Sequence, residues 1–368
     1  MQKHFEKSRR TQIVRIACIG LGMIGKVHAE VAKQLDECDL LAACDANEST
    51  KRIADNLGVT FYADYREMIE KEELDGVIIA VPNEFHAPVG SACARNGLHM
   101  LIEKPIAASI ADADILINKA SENNVSLLVG HHRRFNPSVE SARKMIRGGQ
   151  IGKLVGLSIL WTIFKPTDYF QGPFSWRKSK GGGTVLINLI HEIDNIRYIC
   201  GEITRVHAEI SNKVRKFPVE DSASVSLRLE DGALGSIFIS DCTPSLWSYE
   251  ATTGENPYFF HSSENCYHFF GTEASLEFPN LRKVYYPSRA KSGWQYPLLT
   301  EQIRTGPVDS YREQLGHFCR VIRGEEIPRT SGEDAKKTLE VTMAVLESGE
   351  TGQPIPIKNQ SDGTGGDY

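Results

Sequence analysis

Gly20-Leu21-Gly22-Met23-Ile24-Gly25 is the first stretch whose residue types and spacing specify a chemistry. It follows an apolar run, opens a helical pattern, and has Asp45 20 residues beyond Gly25. Gly20 allows a tight turn, Gly22 lets backbone approach a pyrophosphate, and Gly25 lets the helix pack close to the strand. Met23 and Ile24 then stand at the helix N-terminus that faces the phosphates. A glycine-rich turn alone is more often only a turn; strand, helix and acid in register read as a dinucleotide site. Asp45 can accept hydrogen bonds from both ribose hydroxyls and would repel a 2′-phosphate, so NAD is expected in preference to NADP. Lys51 and Arg52, one or two turns further on, are the residues that could rescue a phosphate.

Reacting groups are sought in loops that follow strands, because ligands of an open parallel sheet sit beyond the carboxyl ends of its strands. Two such loops are Val81-Pro82-Asn83-Glu84-Phe85-His86 and Glu103-Lys104-Pro105. Pro82, Asn83, His86, Glu103 and Lys104 are expected to border the cofactor. Desolvation and a neighbouring cation would lower the pKa of the Lys104 amine, which could then share a substrate hydroxyl proton. Without the glycine motif, Lys104 reads more simply as a surface lysine paired with Glu103.

A third segment runs from Lys180 through Gly181-Gly182-Gly183 into an apolar helix bearing Asn188, His191, Asp194 and Asn195. At helical spacing Asn188, His191 and Asn195 share an arc of about 60°, with Asp194 beside them. A histidine titrating near neutrality suits alcohol deprotonation, and a carboxylate one turn away can fix its tautomer. Asn188 and Asp194 are thus the supporting residues. A satisfied polar stripe on a core helix is the competing interpretation. No second histidine or cysteine stands at ligand spacing from His191, so no metal is expected. The eight cysteines are scattered without a C-x-x-C pair and read as reduced, packed thiols.

The elements that must position these groups follow from patterning. Short apolar runs alternate with amphipathic stretches from Ile13 to Val129. Strands are expected at Ile13–Ile19, Asp39–Cys44, Gly76–Val81, His99–Ile102 and Ser126–Val129, a doubly wound parallel sheet. After a helix at Ser138–Arg147 the texture changes to longer alternating strands: Lys153–Lys165, Ser222–Leu229, Ala233–Ser240, Tyr267–Phe270, Ala274–Phe278 and Lys283–Tyr286. These predict a large, mostly antiparallel open sheet. Helices return at Ser310–Arg323 and Glu333–Glu347. The expected domains are 1–135 for NAD binding, 136–357 for substrate and oligomer contacts, and a flexible tail at 358–368.

The 368 residues favour two domains, and 41% hydrophobic with 24% charged residues is the composition of a folded globular chain. A formal charge of −5 offers no basic field for nucleic acid or anionic lipid. With no apolar run of membrane length and a polar start from Met1 to Gln12, a cytoplasmic protein is expected. The second face of the Lys153–Lys165 strand is apolar enough to suggest cover by another subunit, in a dimer or tetramer.

On these residues the chain resembles the Gfo/Idh/MocA oxidoreductases, the family of glucose-fructose oxidoreductase and inositol dehydrogenase. The matching pieces are the Gly20–Gly25 turn, Pro82-Asn83 to His86, Glu103-Lys104-Pro105, Arg133-Arg134-Phe135-Asn136-Pro137, Trp176-Arg177, Gly181-Gly182-Gly183 through His191 and Asp194, and Gly271-Thr272-Glu273. The resemblance implies a Rossmann domain followed by an α/β domain, and NAD(P)-dependent oxidation of a secondary hydroxyl of a sugar, glycoside or cyclitol. It carries catalytic roles onto Lys104 and His191. Many members place an aspartate four residues before that histidine, where this chain has Ile187, with Asn188 the nearest polar residue. His132, Arg134, Lys165, Trp176, Arg177, Asn188 and His191 are candidates to line the substrate site. The aromatic stretch Leu246–Phe270 is a lid, an oligomer interface or a small satellite core. A keto-sugar reductase, a retained-cofactor oxidoreductase and a non-catalytic dinucleotide sensor are the alternatives on the same fold.

Overall fold

The computed structural model describes residues 13–306 and 309–358. The polar N-terminal stretch and the tail beyond residue 358 named above lie outside the described residues. The chain forms two compact units, one of Met1–Phe135 with Asp309–Leu339, the other of Asn136–Val308 with Glu340–Tyr368.

In the first unit the order is β1 (Val14–Ile19), α1 (Met23–Lys33), β2 (Cys38–Cys44), α2 (Lys51–Leu57), β3 (Thr60–Tyr62), α3 (Tyr65–Lys71), β4 (Gly76–Ile79), α4 (His86–Arg95), β5 (His99–Ile102), α5 (Ile110–Glu122) and β6 (Leu127–Val129). Six parallel strands are arranged β3-β2-β1-β4-β5-β6. The strand order reverses between β1 and β4, which sets the ligand crevice of a Rossmann sheet above those two strands. Their residues are almost wholly buried because the sheet is covered on both faces. Strand β3 escaped the sequence reading: three half-exposed residues at an edge carry no periodic signal.

In the second unit α6 (Pro137–Arg147) starts on a proline, with the Asn136 side chain accepting from Ser138 N. Then come β7 (Leu154–Thr162), a π-helical turn at Val185–Leu189, α7 (Ile190–Ile199), β8 (Ile203–Ser211), β9 (Ser222–Leu229), β10 (Leu234–Ser240), α8 (Tyr249–Thr253), β11 (Tyr267–Gly271), β12 (Ala274–Phe278), β13 (Arg282–Tyr285) and β14 (Leu299–Gln302). With β15 (Ile355–Pro356) they form a nine-stranded sheet, β14-β13-β12-β11-β7-β10-β9-β8-β15. Only β7 and β10 pair in parallel. The inner face buries Leu157, Ile159, Trp161, Val225, Leu227, Ile237, Ile239 and Phe269 in one core, where α7 adds Ile193, Ile196 and Ile199. The opposite face mixes Ser158, Ser224, Ser226 and Ser236 with the exposed Phe238 and Phe270.

Two expectations are corrected here. Asp309–Leu339 belongs to the first unit and not to a single domain at 136–357. The reason is apolar: Leu315, Phe318 and Cys319 of α9 (Ser310–Ile322) pack into the same core as Ile16, Cys18 and Leu40. Beyond α9, α10 (Gly332–Thr351) opens with Asp334 N donating to Ser331 Oγ at 3.3 Å. Second, the Gly-Gly-Gly helix is not regular. Val185–Leu189 is π-helical, so the angular spacing assumed for Asn188, His191 and Asn195 does not hold across that turn.

Candidate active site

In the first unit the glycines do distinct work. Gly20 has φ +94°, and a Cβ there would come 2.5 Å from the Ala80 carbonyl oxygen. A Cβ on Gly25 would stand 1.8 Å from the Gly20 carbonyl oxygen, so α1 sits directly on the turn. At Gly22 an added Cβ meets nothing within 4 Å. Gly22 also begins α1 with no side-chain cap and no acid in the first turn, which leaves amide donors for an anion beside the exposed Met23 and half-buried Ile24. Asp45, just past β2, accepts from Leu21 N at 2.7 Å and from Asn47 N at 2.8 Å. A dinucleotide fits this arrangement: open space over Gly22, uncapped amides, and a carboxylate fixed beside them.

The loops after β4 and β5 are tied together by His86, with Pro82 and Asn83 at the mouth of the first. Its Nδ1 and Nε2 lie 2.8 and 3.0 Å from the carbonyl oxygens of Pro105 and Val81, and burial pushes its pKa down. His86 therefore braces the Glu103-Lys104-Pro105 loop; expected as a cofactor ligand, it has no ring nitrogen left to offer. Glu103 is likewise internal. Its Oε1 accepts from His28 Nε2 at 2.8 Å, and its Oε2 accepts from Lys104 N at 3.1 Å. Burial would raise this carboxyl, but His28, followed by Lys104 and His132, outweighs it and holds the pKa at about 2. Lys104 itself is half-buried at the end of this brace. Two substrate candidates have partners inside the first unit. Arg134 Nη1 lies 2.6 Å from Asp334 Oδ2 and is engaged in the unit's own packing, while His132 stacks on Tyr311 at 4.4 Å.

In the second unit, Lys165 follows β7 and is buried. Its Nζ donates to Asn188 Oδ1 at 2.6 Å and lies 3.3 Å from Asp241 Oδ2. It also stands 4.8 Å from the Tyr169 ring centroid. Burial lowers the amine most, partly countered by Asp241, and leaves it at about 8. Arg215 takes the other oxygen of Asp241 at 2.6 Å. Arg177, also buried, lies 3.8 Å over the Tyr169 ring and 4.4 Å from that of Phe174, and Trp176 beside it is exposed.

Two of the three glycines fit these neighbours closely. A Cβ on Gly182 would come 2.4 Å from the Arg177 carbonyl oxygen; one on Gly183, at φ +82°, would come 2.3 Å from Glu220 Oε1. Glu220 in turn accepts from Val185 N at 2.8 Å, and burial pushes its carboxyl pKa up. The helix beyond carries buried His191 and Asp194, whereas Asn195 turns to the sheet and donates to Tyr267 Oη at 2.9 Å.

Sequence reasoning missed His28, Tyr169, Arg215, Glu220 and Asp241. Arg215 and Glu220 fall between β8 and β9, and β8 was itself missed. The only signal for Asp241 was its place at the end of β10. The 246–270 stretch divides: Tyr249 and Tyr267 are core, while Trp247, Tyr258 and Phe260 are exposed. Among the described residues no group of three or more His, Cys, Asp or Glu could hold a metal, and no helix is long and apolar enough to cross a membrane.

Comparison with known proteins agrees with this architecture. Residues 14–131 match the model of an oxidoreductase family with an NAD-binding Rossmann fold, and residues 139–277 match the GFO/IDH/MocA C-terminal domain. Myo-inositol 2-dehydrogenase of Thermotoga maritima is 29% identical over 94% of this chain and 99% of its own length. scyllo-Inositol 2-dehydrogenase (NAD(+)) of Bacillus subtilis is 27% identical over 94% and 96%. Among solved structures, levoglucosan dehydrogenase in complex with NADH superposes with a TM-score of 0.79 at 21% identity, covering 94% of this chain and 100% of that one.

Proposed function

The chain belongs to the Gfo/Idh/MocA family of sugar and cyclitol oxidoreductases, and from that premise we propose that it is an NAD-dependent dehydrogenase of a secondary hydroxyl. The observation that carries the reading is the uncapped N-terminus of α1 beside open Gly22, with Asp45 held against it by the Leu21 amide. Those amides would hold the pyrophosphate, and Asp45 the adenosine ribose, which favours NAD over NADP. Bound nicotinamide would supply a two-electron acceptor for the carbon-bound hydrogen.

The residues of the chain handle the proton. His191 accepts it from the substrate hydroxyl, and Lys104 carries the other proton-transfer role that the family resemblance implies. Glu103, held by His28, fixes the backbone of Lys104 through its amide. Asn188, standing near the place of the family's aspartate, can orient a hydroxyl but cannot take a proton. The dehydrogenase roles of Lys104 and His191 set this reading apart from a dinucleotide sensor, which needs no proton-transfer groups.

The test is a cofactor-reduction screen with NAD and NADP against hexoses, inositols, glycosides and sugar acids. Formation of reduced nicotinamide with NAD on a member of the panel is expected. Silence across the panel with both cofactors would remove the dehydrogenase reading.

A further inference from the structure

The second unit contains a buried cation whose pairing differs from that of the buried Arg134 and Arg197. Arg134 and Arg197 each face a carboxylate, Asp334 at 2.6 Å and Glu202 at 2.9 Å. Arg177 is just 9% exposed, and among the described residues its one hydrogen bond runs from Nη1 to the Tyr169 carbonyl at 3.0 Å. Burial lowers its pKa, and the only charge interaction opposing that is with the Tyr169 phenol. A guanidinium has five N–H donors in a planar fork, so most of this fork is unspent. The Tyr169 and Phe174 rings lie 3.8 and 4.4 Å from its central carbon and offer it no charge partner. In-plane donation from the edge of a guanidinium takes a carboxylate with two parallel hydrogen bonds.

Two further contacts put this fork beside the proposed catalytic helix. The chain entering that helix lies on Arg177, since a Cβ at Gly182 would meet the Arg177 carbonyl oxygen at 2.4 Å. Lys165, against the same Tyr169 ring, donates to Asn188, three residues before His191. Of its three donors, Asn188 and Asp241 engage two. Asp241 and Glu250 already act on Lys165, so a singly charged group is better matched here than a doubly charged phosphate.

We propose that the substrate carries a carboxylate, held by the edge of Arg177 with Lys165 as second donor: a uronic or aldonic acid, not a neutral polyol. This rests on the dehydrogenase reading and narrows it. The competing role for Arg177 is purely structural, a clamp on the aromatic turns at 167–178.

The experiment compares kcat/KM of the full-length protein with NAD for matched pairs, glucuronate against glucose and galacturonate against galactose, with glucose 6-phosphate added. The acid of a pair is expected to be preferred by about tenfold or more, in KM rather than kcat. Arg177→Gln should bring the acid-to-neutral ratio close to one, and Lys165→Met should lower it less. A preference for the neutral sugars or for the phosphate overturns the proposal, as does an Arg177→Gln protein in which both members fall alike and the ratio stands. If nothing is turned over, calorimetric binding of glucuronate and glucose decides separately. Tighter glucuronate binding that Arg177→Gln abolishes supports the carboxylate site even as the dehydrogenase reading fails; equal binding overturns it. Should Arg177→Gln not fold, Arg177→Lys serves in the same ratio.

Discussion

The two units build their parts of the chemistry from different materials. In the first, the working surface is backbone: amides of a helix start, a turn that only glycine can adopt, and loops braced by His86 and Glu103. In the second it is side chain, with Lys165, Asp241, Arg215, Arg177 and Tyr169 gathered from separate strands and turns. On the proposed reading, the contrast separates what would recognise a common cofactor from what would select a substrate. Backbone geometry tolerates little change in its few positions, whereas a side-chain cluster can be retuned one residue at a time.

The sharpest test of that contrast is Lys104→Met, expected to lower kcat by about 10²–10⁴-fold while calorimetric NAD affinity moves little. Comparable turnover in both proteins would defeat the assignment of Lys104. Next comes Gly25→Ala. With 1.8 Å between its Cβ and the Gly20 carbonyl, it should cost about 3 kcal/mol in a thermal or denaturant melt and abolish NAD binding. If Gly25→Ala were as stable as its parent, the backbone account of the first unit would fail. Asp45→Ser should then narrow the NAD-to-NADP preference by roughly tenfold in kcat/KM.

The smallest effects are in pH dependence, where the two units share a sign and differ in the pH window. Glu103 is held at about 2 against an ordinary value of 4.5. Its contribution to stability is fully present above pH ~4.5 and is lost as the pH falls toward 2. Lys165 is depressed to about 8 from 10.5, so the unfolded chain binds more protons between those values and stability rises with pH across that window. Denaturant melts of Lys165→Met should lose the alkaline rise and keep the acid fall. A variant that loses both would mean that the two groups are not independent.

What could be read from the sequence follows the same division. The Gly20–Gly25 turn and Asp45 were legible because backbone requirements impose fixed spacing along the chain. Lys104 stood out only through the motif that precedes it. By contrast, Arg215 and Asp241 meet one another across 26 residues, and nothing in either neighbourhood announces the partner. Strand β8 has a readable alternation, Val206 and Ala208 against Arg205 and Glu209, yet was passed over. The π-helical turn at Val185–Leu189 could not be inferred from apolar periodicity, since every residue but Asn188 is aliphatic. Pairing Arg134 with Asp334 needed the knowledge that the chain returns to the first unit.

That return has a bearing on biogenesis. Phe318 and Leu315 complete a core begun by Ile16 and Leu40, some three hundred residues earlier in translation. The nascent nucleotide-binding half must therefore wait, its apolar flank open, until residues 309–339 have been made. A fragment ending at Phe135 should emerge sticky and chaperone-dependent, and supplying 309–339 on a separate peptide should relieve it.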